Sequence, residues 1–109
     1  MNYKIIAVPS FKKELKKLAK KYGSLKSDLA SLFEVLEVNP DLNSPLGNNC
    51  YKIRLAISSK GKGKSGGARV IANILIYERT IYLLSIYDKS VKDNLTDKEL
   101  KELLKGIPS

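Results

Sequence analysis

The sequence predicts an α+β domain: an N-terminal strand and helical hairpin packed on an antiparallel β-sheet, with a short C-terminal helix, in the order β-α-α-β-β-β-α. Three observations predict it. Apolar residues recur at helical spacing from Phe11 to Leu36, the apolar period changes to two from Tyr51, and Thr96 with Glu99 forms a helix-opening pattern near the end. At 109 residues the chain has room for one core, so 1–109 is read as a single domain.

Each element has its own signal. Residues 3–8 are β-rich and stop at Pro9, which gives an opening strand. Ser10 is the expected N-cap of a first helix that starts at Phe11. Phe11, Leu15, Leu18, Ala19 and Tyr22 make its apolar stripe, the lysines take the opposite face, and Gly23 supplies the stop. A second helix carries Leu25, Leu29, Leu32, Phe33 and Leu36 and ends before Asn39-Pro40. Residues 39–49, with two Pro, one Gly and four Asn, read as a loop. In the next strand Tyr51, Ile53, Leu55 and Ile57 point one way, Lys52 and Arg54 the other. Residues 58–67 form a Gly/Ser/Lys loop. Two strands follow, 68–77 and 80–87, joined tightly at Glu78-Arg79. Leu100, Leu103 and Leu104 are the apolar face of the last helix, which Gly106 and Pro108 end.

Composition narrows the function. The 43% hydrophobic content suffices for a core, and no apolar run approaches the ~20 residues needed to cross a bilayer. The opening residues read as a strand rather than a secretion signal, and Cys50 is the only cysteine, which fits a reducing cytoplasm. There is no His, so the usual general base near neutral pH is missing. The net charge of +9 points to a polyanionic partner. It is concentrated in two regions. Residues 1–30 hold eight Lys against two acids, and residues 51–69 hold six cations against none.

Three constellations follow from that charge. The lysines of the first helix, Lys12, Lys13, Lys16, Lys17, Lys20 and Lys21, read either as a solvated face or as a surface touching phosphates; of these Lys13 and Lys17 are candidate RNA contacts. The loop lysines Lys60, Lys62 and Lys64 are further candidates, interleaved with Gly that lets the backbone approach a phosphate. Gly63-Lys64-Ser65 looks like the end of a P-loop, but the first Gly of that motif would fall at Ser58 and a β-rich segment follows, so that reading is rejected. The third set is Lys52, Arg54 and Arg69. Lys52 and Arg54 share one strand face, and Arg69 joins them if the two strands pair. Like charges held together repel unless an anion joins them, so the set makes sense as a phosphate clamp; a lysine-rich sheet edge that discourages aggregation is the structural alternative.

Four segments carry a family resemblance: Cys50-Tyr51-Lys52-Ile53-Arg54-Leu55, Lys64-Ser65-Gly66-Gly67-Ala68-Arg69-Val70-Ile71, Ile81-Tyr82-Leu83-Leu84-Ser85-Ile86-Tyr87-Asp88-Lys89, and Asn94-Leu95-Thr96. Together they resemble the RelE/ParE superfamily toxins of bacterial type II toxin–antitoxin modules, on the HigB/RelE-like branch, over nearly the whole chain. The resemblance implies a RelE-like fold and a ribosome-dependent mRNA endoribonuclease that acts without a metal or other cofactor. Its implied partners are a cognate antitoxin, the ribosome with its rRNA, and mRNA, with no membrane involved. By the same resemblance Lys52 and Arg54 bind and activate the mRNA, Arg69 stabilises the scissile phosphate, and Lys89 adds a further cation. Relatives place a Tyr where this chain has Leu95, and that role is not carried over to Tyr87. Relatives also often carry an aromatic where this chain has Ala68. Two alternatives stay open: a ParE-like inhibitor of DNA gyrase, against which the basic strand positions speak, and an inactive RNA-binding relative.

Overall fold

The computed structural model describes residues 2–40, 44–61, 63, 66–92 and 94–108. Its elements are β1 (Lys4–Ala7), α1 (Pro9–Lys21), α2 (Leu25–Val38), β2 (Ser44–Gly47), β3 (Cys50–Leu55), a 3-10 turn (Ser58–Lys60), β4 (Ala68–Leu75), β5 (Thr80–Asp88) and α3 (Asp97–Leu104). The five strands form one sheet in the order β1-β5-β4-β3-β2. The expected α+β class and the order of its main elements hold, with four differences of detail.

First, the sheet is mixed. β1 joins it as an edge strand parallel to β5, pairing Lys4 with Thr80 and Ala7 with Leu83. This satisfies backbone groups along β5 that would otherwise form an open edge. Second, the segment expected to be loop contains β2. Its pairing with β3 is closed by Asn48 and Asn49, both with positive φ (54° and 61°), a two-residue turn that asparagine tolerates well. Pro45 is acceptable there because β2 is an edge strand. Third, α1 starts at Pro9 with Val8 as its N-cap, so Ser10 does not cap it. Proline at the first helical position costs no hydrogen bond, and the Ser10 hydroxyl instead donates to the Leu84 carbonyl at 2.9 Å. Fourth, the β4–β5 connection is the four residues Ile76–Arg79, with Arg79 at φ 48°. The capping box at Thr96 and Glu99 forms as expected.

The core runs through Phe11, Leu25, Leu29 and Leu36 of the hairpin and into the sheet. Residues directly opposite one another on neighbouring strands share a face, so the register sorts the central strands into two sets. The first set holds Ile53, Leu55, Ala68, Val70, Ala72, Leu83 and Ile86, all buried, with Asp88 at its end. The second set holds Cys50, Lys52, Arg54, Arg69, Ile71, Asn73, Ser85 and Tyr87. Of the four buried polar residues among those described, Arg69, Asn73 and Ser85 lie in this second set and only Asp88 in the first. One face is almost purely hydrophobic structure; the other carries the polar chemistry.

Candidate nucleic-acid interface

The second face contains the cations that the sequence singles out. In the β3–β4 register Arg54 stands directly opposite Arg69, and in the β4–β5 register Arg69 stands directly opposite Tyr87. Arg54, Arg69 and Tyr87 therefore form one row across three strands. Lys52 lies two residues before Arg54 on the same face, roughly 7 Å along the strand, with Ser44 on one flank and Ile71 on the other. The expectation that Lys52, Arg54 and Arg69 converge on one face is met by this register.

Their exposures differ. Arg54 is exposed, Lys52 is half-buried, and Arg69 is 3% exposed. The Arg69 guanidinium donates from Nη1 to the Ala68 carbonyl at 3.0 Å, which fixes its plane within the sheet. An arginine keeps its charge when buried, and a charge in a low-dielectric setting acts more strongly on a neighbouring anion than one in water. Placing Arg54 against Arg69 is repulsive in itself, so an anion bound over the row would stabilise it.

Gly67 explains why the register brings these residues together. A Cβ there would meet the Leu55 carbonyl oxygen at 2.0 Å and the Ala56 Cα at 3.0 Å. Only glycine lets β4 start so close to the end of β3, and that approach sets Arg69 against Arg54. The Gly67 carbonyl also accepts the Lys89 amide at 3.1 Å. That bond extends the β4–β5 ladder one step past Asp88. The alternation then carries half-buried Lys89 to the same face as Tyr87 and Arg69.

The other expected contacts fall out variously. Lys13 and Lys17 are exposed on α1, and none of that helix's six lysines enters an ion pair among the described residues. The helix's one acid, Glu14, accepts a hydrogen bond from Ser85 at 2.9 Å. Lys60 is tied into the fold: its ammonium lies 2.9 Å from the Asp88 carboxylate, its side chain is 11% exposed, and it sits 5.2 Å from the centre of the Tyr22 ring. Lys62 and Lys64 lie outside the described residues. Leu95, where relatives are expected to carry a tyrosine, packs half-buried against the core.

Two residues were not assigned roles from the sequence. Tyr87 shares the cationic row, and the Lys92 ammonium lies 5.8 Å from its ring centre while paired with Glu99. Its odd position in β5, two before Lys89, was the available signal. Asp88 accepts from the Tyr22 hydroxyl (2.6 Å), Lys60 (2.9 Å), and the Ser90 amide and hydroxyl (2.9 and 2.7 Å). Burial alone would raise its carboxyl; these hydrogen bonds outweigh that and hold it well below the usual carboxylate range. Nothing in a single sequence marks such a hub. Among the described residues no group of three His, Cys, Asp or Glu is placed to hold a metal ion, and no helix is long and apolar enough to cross a membrane.

A family profile described as the RelE toxin of the RelE/RelB toxin–antitoxin system matches residues 10–107, so the chain belongs to the RelE toxin family. Solved structures share its fold. An arginine-to-alanine double mutant of Escherichia coli toxin RelE in the free state is 18% identical, with a TM-score of 0.62 over 99% of this chain and 100% of that one. The RelBE2 toxin–antitoxin complex of Mycobacterium tuberculosis gives 16% identity and a TM-score of 0.59, covering 81% and 92%. The intact Escherichia coli RelBE toxin–antitoxin complex gives 26% identity and a TM-score of 0.53, covering 79% and 95%.

Proposed function

We propose that this chain is a ribosome-dependent mRNA endoribonuclease, the toxin of a cytoplasmic toxin–antitoxin pair, and that it cuts RNA on the face carrying Lys52, Arg54, Arg69 and Lys89. The observation that carries the reading is the register row of Arg54, Arg69 and Tyr87, with Lys52 beside it. Membership of the RelE toxin family supports cleavage over binding alone.

The chemistry asks little of the protein beyond placement and charge. The ribose 2′-OH attacks the adjacent phosphorus, the bond to the 5′-oxygen breaks, and the products end in a 2′,3′-cyclic phosphate and a 5′-hydroxyl. In-line positioning and stabilisation of charge on the phosphate oxygens supply the rate. Arg69, with its guanidinium plane already fixed, stabilises the charge that builds on the phosphate oxygens. Arg54 draws the backbone of the message onto the sheet; Lys52 in its free-amine form is the candidate acceptor of the 2′-OH proton, and water protonates the departing 5′-oxygen. Lys89 completes the cationic ring from the end of β5. No cofactor takes part. The lysines of α1, Lys13 and Lys17 among them, enter no ion pair among the described residues and support a second contact with rRNA. A cognate antitoxin is the proposed restraint, as the RelBE complexes among the structural relatives suggest.

The test is cell-free translation of a defined message with added purified protein, followed by mapping of RNA ends. New fragments ending in a 2′,3′-cyclic phosphate are expected. A message that stays full-length while translation continues removes the nuclease reading.

A further inference from the structure

The polar network behind the cationic face takes no part in the chemistry above. Asp88 is 4% exposed and belongs to the opposite set of side chains from Arg69 and Tyr87. Its carboxylate gathers Tyr22 from α1, Lys60 from the 3-10 turn, and both the amide and hydroxyl of Ser90. Its own carbonyl accepts the amides of Val91 and Lys92, each at 3.1 Å. The amides of Ser90, Val91 and Lys92 thus all converge on one residue. That turn holds Lys89 and Lys92, the first proposed to face the scissile phosphate, the second placed over the Tyr87 ring. Asp28 plays a parallel part on the far side of the 3-10 turn, accepting from the Ser58 amide and hydroxyl at 2.9 and 2.6 Å. The connection between β3 and β4 is therefore pinned at both ends of that turn, to α2 and to β5.

We infer that Asp88 is a positioning residue: by clasping Lys60 and Tyr22 from behind the sheet, it fixes the 89–92 turn so that Lys89 is presented to the RNA bound in front. The inference rests on the proposed nuclease reading for its consequence, though not for its structural content. A flexible lysine at the end of a strand samples many rotamers, and ordering it before substrate arrives lowers the entropy lost in the transition state. The buried carboxylate does not touch the substrate, so its effect passes through Lys89 alone.

The experiment uses the full chain with Asp88→Ala, Lys89→Ala and the double variant. Amide hydrogen exchange is expected to quicken at least tenfold at Ser90, Val91 and Lys92 in Asp88→Ala while β4 keeps its protection. In ribosome-programmed cleavage, kcat falls tenfold or more with KM within twofold, and Asp88→Ala adds no further loss once Lys89 is already Ala. Asp88→Asn, which still accepts from Ser90, recovers part of the protection. Should Asp88→Ala fail to fold, Lys60→Met dismantles the clasp from its other end, with the same exchange and rate changes expected. Wild-type exchange at 90–92 in a folded variant overturns the inference, as does a loss that multiplies with that of Lys89→Ala. A wild-type chain that cuts nothing defeats the nuclease reading, and the exchange measurement still decides whether Asp88 holds the turn.

Discussion

At the scale of single residues, two positions carry most of the account. Arg69 is the only buried cation of the row. Arg69→Ala is expected to lower cleavage by about 100- to 1000-fold, the cost of losing one fixed donor to a developing negative charge, read as the rate of appearance of cut message. Gly67 is the second. Gly67→Ala places a methyl group 2.0 Å from the Leu55 carbonyl, so the β3–β4 junction must open. The expected loss is about 2–4 kcal/mol of folding stability, seen as a fall in the thermal midpoint, together with reduced cleavage because Arg54 and Arg69 no longer align. The two effects separate the roles: Arg69→Ala harms the chemistry of a folded protein, Gly67→Ala harms the fold that aligns it.

At the scale of elements, the helices were the most legible and the edges of the sheet the least. The stripe from Phe11 to Tyr22 and that from Leu25 to Leu36 follow from spacing alone, because a helix closes its own hydrogen bonds and needs only one buried face. The α3 capping box was equally plain at Thr96 and Glu99. β2 was not, since Ser44–Gly47 is a strand only because β3 offers it a ladder. The parallel seat of β1 beside β5 depends on a partner 76 residues away, which no local pattern records. Of the site, the face of Lys52 and Arg54 was readable from their spacing, and their union with Arg69 required the strand register. Tyr87 and the Asp88 network depended on tertiary packing. The lysines of α1 make a prediction at this scale. Lys13→Ala with Lys17→Ala is expected to weaken ribosome binding and lower the slope of log affinity against log salt by roughly 1 to 2, measured by titration at several salt concentrations.

At the scale of the whole molecule, a basic protein relies on two hydrogen-bonded carboxylates, buried Asp88 and half-buried Asp28. Asp88 and Asp28 are both held below the usual carboxylate range, so the native state binds fewer protons than the unfolded chain in acid. Their contribution is fully present above the unfolded carboxylate pKa of about 4 and is lost as pH falls below it. Lys60 is held above its ordinary range by its hydrogen bond to Asp88, and that contribution is present below about pH 10 and lost above it. Thermal melts should therefore give a plateau between roughly pH 5 and 10, falling at both ends, and Asp88→Asn should flatten the acid limb.

The central claim is that the cationic sheet face cuts RNA, and its most direct measurement is the mapping of message ends in cell-free translation, with wild type and Arg69→Ala compared side by side. New 5′-hydroxyl ends with the wild type, and at least a hundredfold fewer with a folded Arg69→Ala, are the predicted result. Full-length message with both proteins, or cleavage that survives Arg69→Ala undiminished, would contradict it.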